Sequence, residues 1–278
     1  MIDPQVNRLT MGPMKSFALR LIVCVILALF TWSSILSAKV PLRTVHVFVA
    51  LADNAHQGIV PVPANLGNGD RPDTNLYWGA AFGVKTYFRA SAEWQLMSCG
   101  RGPKPAILRR CAFRYRQAPV YLIADAYQGS QIRQAVTDFL SAAAGLGALT
   151  LHVKDAAGDE SLPISGGSDL VVYVGHDAFM DFQIPPIAGK TAAKPRTAII
   201  LACASETYFR PYLRDTGAAP LLWTTGLMAP EAYTLKAALD GWIAHQSAEQ
   251  IRQEAARAYA KYQKCGLHAA QALFATGW

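Results

Sequence analysis

Two runs decide how this chain folds: Leu170-Val-Val-Tyr-Val-Gly175, which delivers His176, and Thr197-Ala-Ile-Ile-Leu-Ala202, which delivers Cys203. Each is short, apolar and rich in β-branched residues, the pattern of a parallel strand buried on both faces. Parallel strands of an α/β sheet end on one edge, and ligands bind along that edge. If the two runs are neighbours, an imidazole and a thiol meet there, which is the pairing that nucleophilic cysteine catalysis needs.

Outward from this pair, strands and helices alternate. Val45-His-Val-Phe-Val-Ala-Leu51 reads as the first buried strand. It runs into a segment from Ala52 to about Asn75, with Pro61, Pro63, Gly67, Gly69 and Pro72 and no apolar periodicity. A loop of that length inside a domain is commonly functional, and following the first strand it should cover the ligand edge. Asn75 to Phe88 reads as a helix with Asn75 as N-cap, weakened by two interior glycines. Pro119 to Ala124 reads as a strand, followed by a helix capped by Ser130 that carries Ile132, Ala135, Val136, Phe139, Leu140 and Ala143 on one stripe and stops at Gly145.

Leu149 to Val153 reads as a short strand, and Lys154 to Ser168 as a polar connection. Beyond Cys203, Ala204 to Leu213 starts a helix or turn, Ala219 to Thr225 forms a strand, and Pro230 opens a helix to His245. Ser247-Ala-Glu-Gln250 is a capping-box signature for a last helix, with Gly266 as its left-handed stop. The alternation predicts one α/β domain over residues 39–278, with a mostly parallel sheet flanked by helices.

Composition excludes several classes. Of 278 residues, 52% are hydrophobic and 16% charged, which is not the profile of a disordered chain. The net charge of +7 is not gathered into a basic stripe interleaved with aromatics, so no nucleic-acid partner is expected. Residues 1–38 read as a signal peptide or an N-terminal membrane anchor: Arg8, Lys15 and Arg20 precede or enter an apolar run that ends at Ser37-Ala38. Membrane contact through residues 17–38 and an extracytoplasmic location, periplasmic or secreted, follow from that reading. In such a compartment Cys99 and Cys111, on either side of a Gly/Pro-rich loop, can form a disulfide. No CxxC pair or histidine ligand spacing marks a metal site, and no GxGxxG or GxxxxGK[ST] follows a strand, so neither metal nor cofactor is expected.

Asp169-Leu-Val-Val-Tyr-Val-Gly-His176 followed by Ala198-Ile-Ile-Leu-Ala-Cys-Ala-Ser205 resembles the caspase-like cysteine peptidases of clan CD: caspases and metacaspases, legumains, gingipains and CHAT-domain proteins. The segment Pro119 to Leu140 is similar to the strand–loop–helix unit that precedes the His strand in that superfamily, and Gly217 to Thr225 to the strand that follows the Cys. The resemblance implies the three-layer caspase-hemoglobinase fold, with His176 as general acid/base, Cys203 as nucleophile and a peptide or protein as substrate. It also implies that the backbone around Gly175 and after His176 contributes to an oxyanion hole. Where the family usually has glycine after the histidine, this chain has Asp177, which sets a carboxylate beside the developing charge. Asp53, Asn54, Asp177, Asp181 and Glu206 are the candidates for a polar or acidic substrate pocket. A second reading keeps the sheet but not the catalysis, with the 52–75 loop binding a peptide, glycan or protein. His56, His152, His245 and His268 carry no motif and read as structural.

Overall fold

The parallel core forms because five apolar runs pair side by side. In the computed structural model, which describes Met1 and residues 41–155, 158–191 and 196–278, these are β1 (Arg43–Ala50), β4 (Val120–Tyr127), β7 (Leu170–Val174), β8 (Thr197–Leu201) and β9 (Ala219–Thr224). An antiparallel hairpin, β2 (Trp94–Gly100) and β3 (Ile107–Tyr115), extends one side, and the two-residue β10 (Phe274–Ala275) closes the other. The eight-stranded order is β10-β9-β8-β7-β1-β4-β3-β2. After β4 the chain crosses back over β1 to lay down β7, so the winding reverses between β1 and β7, a topological switch point. A separate hairpin pairs β5 (Leu149–Asp155) with β6 (Gly158–Ile164). The predicted N-terminal signal or anchor lies outside the described residues. Among the described residues no helix is long and apolar enough to cross a membrane.

Alternation along the strands assigns their two faces. Val45, Val47 and Val49 of β1 share a core with Val172 and Val174 of β7, Ile199 and Leu201 of β8, and the helices α1 (Val84–Ala90), α4 (Ala232–Ile243) and α5 (Ala248–Gln263). Phe48 and Ala50, Val171 and Tyr173, and Ile200 and Ala202 face the other way, against α2 (Ile132–Ala143) and α3 (Ser205–Thr216). A short α6 (Leu267–Leu273) leads into β10. The result is an α/β protein in three layers around one large, mostly parallel sheet, and Pro41–Trp278 form one compact unit.

The structure departs from the sequence reading at several elements, among them the β2–β3 hairpin and the start of α2, where Ser130 lies in a 3-10 turn, Gly129–Gln131, and does not cap the helix. Asn75 to Gly83 form turns, and the helix begins only at Val84. Asn75 does not cap it: its fully buried amide accepts from the backbone N–H groups of Ala52 (3.1 Å) and Tyr77 (3.2 Å) and donates to the carbonyls of Ala52 (2.8 Å) and Asn68 (3.1 Å). Cys99 and Cys111 form the disulfide expected of them, as directly opposed residues of the β2–β3 hairpin. Residues 158–164 form β6 rather than an irregular connection. The last long helix is stopped by Lys264, at φ 57°, while Gly266 precedes α6; its capping box at Ser247 and Gln250 is formed.

A buried ion network ties β1, β3 and β4 together. The Asp125 carboxylate accepts two bonds from Arg110 (2.6 Å each) and one from His46 Nε2 (3.0 Å), while His46 Nδ1 accepts from Ser165 N (3.0 Å). The arginine and the histidine hold this carboxyl below its usual range despite the opposing effect of burial.

Asn75 is the main fastener of the 52–83 segment. Asn75→Ala should lower unfolding stability by about 1–3 kcal/mol, because two backbone donors and two carbonyls lose their partner in a buried place. Urea denaturation read against wild type measures this.

Candidate functional site

The register of β7 on β8 sets the site. Val174 pairs with Leu201 as the last rung of the ladder, and His176 and Cys203 each follow two residues beyond it. Val174 and Leu201 both belong to the α4/α5 face, and beyond them the chain leaves the ladder at Gly175 and Ala204. His176 and Cys203 both line one cavity of about 270 Å³ at the carboxyl ends of the strands.

The backbone beneath each residue is pinned. Gly175 adopts φ 153° and donates to Leu201 O (3.2 Å), and a Cβ there would lie 2.9 Å from the Ala50 carbonyl oxygen. Only glycine fits that turn without displacing β1. The buried Tyr173 hydroxyl donates to the His176 carbonyl (2.8 Å). On the other strand, Ala204 turns the chain from β8 into α3 in the left-handed conformation, φ 46°. That turn is held by Ala204 N on Gly226 O (2.7 Å) and by the buried Ser205 hydroxyl, which donates to Ile200 O (3.0 Å) and accepts from Thr224 N (3.0 Å).

His176 is oriented by a carboxylate. Its Nε2 donates to Asp181 Oδ2 (2.8 Å), and the same oxygen accepts from Gly58 N (3.0 Å) of the loop after β1. With Nε2 committed, Nδ1 is the nitrogen left to exchange a proton. Asp177 makes a tight turn between the two partners: it caps the short 3-10 helix at Ala178–Met180, with Oδ1 accepting from Phe179 N (2.9 Å). Sequence reasoning placed Asp181 in a substrate pocket and missed that pairing; the spacing His-Asp-Ala-Phe-Met-Asp, with a capping Asp in it, carried the signal.

Cys203 is bonded to backbone. Its Sγ donates to Met228 O (3.5 Å) and accepts from Met228 N (3.4 Å). Burial raises the thiol above the usual cysteine range, the Met228 amide partly opposes this, and Asp177 adds to the rise. At the start of α3 the Ala204 and Ser205 amides are taken up by Gly226 O and Thr224 Oγ1. The Asp177 carboxyl is fully buried, with Oδ2 lacking a partner, and burial pushes it up to about 7. Around neutral pH it therefore carries only part of the charge that its place after His176 implies beside an oxyanion.

The other sequence candidates lie elsewhere. Asp53 is buried, bonds His56 Nδ1 (2.8 Å) and Ala55 N (2.9 Å), and with Asn54 lines a separate recess bounded by Gly67, Gly69 and Asp70. Glu206 pairs with Arg210 on α3 and does not line the Cys203 cavity. The 52–75 loop does cover the sheet edge, contributing Gly58, Ile59, Val60 and Val62 to the cavity. Among the described residues no group of three or more His, Cys, Asp or Glu side chains is arranged to hold a metal ion. Comparison with family models, with curated proteins and with solved structures finds no match in any of the three.

Two outcomes follow from these contacts. Asp177→Asn removes a charge that raises the Cys203 thiol, so the midpoint of the pH dependence of Cys203 alkylation by iodoacetamide should move to lower pH. Gly175→Ala should cost about 1–3 kcal/mol in stability, since its φ is unfavourable for a side chain and β1 must shift, as thermal unfolding would show.

Proposed function

We propose that this chain is an exported, caspase-like cysteine endopeptidase that hydrolyses peptide bonds through Cys203 and His176. The observation that carries this reading is the matched placement of the two side chains at the ends of adjacent parallel strands, opening on one cavity. The order of the elements supports the caspase-like form of the three-layer fold: a βα unit, the His strand, the Cys strand, then a further parallel strand.

In the proposed reaction His176 Nδ1 takes the Cys203 proton as Sγ bonds to the scissile carbonyl carbon. The C–N bond then breaks, the proton passes from His176 to the leaving amine, and water cleaves the thioester to regenerate the thiol. Asp181 holds the imidazole and stabilises its protonated form, the part an orienting carboxylate plays in a triad. The Met228 amide stabilises the thiolate, and the Asp177 amide is the candidate donor to the oxyanion. The Cys99–Cys111 disulfide supports an oxidising, extracytoplasmic compartment, periplasmic or secreted, consistent with a signal or anchor in residues 1–38.

One observation favours a second reading, a caspase-like module that binds a peptide, glycan or protein without cutting it. The thiol is bonded on both sides to Met228 and lies above its ordinary range, so its resting form is protonated. An electrophilic peptide separates the two. Catalysis predicts selective alkylation of Cys203 that His176→Ala abolishes; equal labelling of both proteins would sink it.

A further inference from the structure

The cavity beside Cys203 has a chemistry that the sequence reading did not anticipate. Apart from His176 and Cys203, its wall is made of aliphatic, thioether and aromatic groups and backbone, chiefly Ile59, Val62, Leu76, Tyr77 and Met228. No Asp, Glu, Lys or Arg lines it. Its rim is apolar as well: Val60, Leu227 and Met180 line it while being 82%, 72% and 43% exposed. Large apolar side chains gathered in the open around one depression mark a binding surface.

The carboxylates that could have greeted a basic group are committed or remote. Asp181 is held by His176 and Gly58 N, Asp177 is turned inward onto Phe179 N, Glu206 is paired with Arg210, and Asp53 belongs to another recess. A charged side chain entering this cavity would shed water without meeting an Asp, Glu, Lys or Arg, which is costly. An apolar one would gain from burial in proportion to its area.

We infer that the cavity is the subsite for the residue whose carbonyl Cys203 attacks, and that it selects a large apolar side chain such as Leu, Met or Phe. This rests on the peptidase reading and adds the substrate class. Three loops meet in that subsite: Gly58–Val62 after β1, Met180 after β7 and Leu227–Pro230 after β9. Gly58 also bonds the carboxylate that orients His176, so filling the cavity and aligning the imidazole involve the same loop.

The test uses the full chain and three peptidyl chloromethyl ketones identical but for Leu, Arg or Asp at the residue bearing the electrophile. The Leu probe should alkylate Cys203 about tenfold faster or more than the other two, the scale on which an apolar pocket discriminates. Leu227→Asp, at a side chain 72% exposed, should slow the Leu probe and speed the Arg probe. Equal rates for the three probes, with labelling still dependent on His176, would overturn the apolar subsite and leave the peptidase reading standing. Failure of all three to label Cys203 would overturn both.

Discussion

The hydrogen-bonded register of β7 against β8 is the constraint on which the site depends. Both strands are buried on each face, so a slip of one residue would exchange Val172 and Val174 for Val171 and Tyr173 across two different cores. The packing therefore fixes the pairing of Val174 with Leu201, and so the two strand ends from which His176 and Cys203 reach their shared cavity. Gly175 and Ala204, each at positive φ, then turn the chain immediately at the strand ends rather than letting it run on.

Burial governs the electrostatics that this geometry brings together. Asp177 and Cys203 both lose solvation, and each is driven toward its neutral form. That offsets the most awkward feature of the sequence, a carboxylate directly after the histidine. Meanwhile Asp181, part exposed, supplies the bond that holds the imidazole. The two aspartates of one short turn thus have different tasks, one shaping backbone and the other orienting a ring, as their hydrogen-bond partners dictate.

The buried strands were legible from the sequence because nothing interrupts their apolar runs; β1, β4, β7, β8 and β9 fall where they were expected. The β2–β3 hairpin was not, since its arginines and half-exposed positions blur the period-2 pattern and GRGPKP reads as loop. The 75–83 turns read as helix in the sequence because their apolar spacing is nearly helical, whereas the Asn75 amide fixes a different path by bonding the backbone at Ala52. Asp53 and Asn54 were grouped with the site for following the first strand. In fact Asp53 folds back on His56 and Ala55, a local competition that strand position alone does not reveal. The cavity beside Cys203 draws on three loops far apart in sequence, so its apolar character emerges only once they are assembled.

The most direct measurement of the central claim is cross-linking by position. A neighbouring-strand separation falls within the Cα distance a disulfide spans, about 4.4–6.8 Å. The variant His176→Cys, mildly oxidised and mapped by mass spectrometry after proteolysis, should yield a 176–203 disulfide in the folded protein. Recovery of both thiols free, with the Cys99–Cys111 bond intact, would contradict the account.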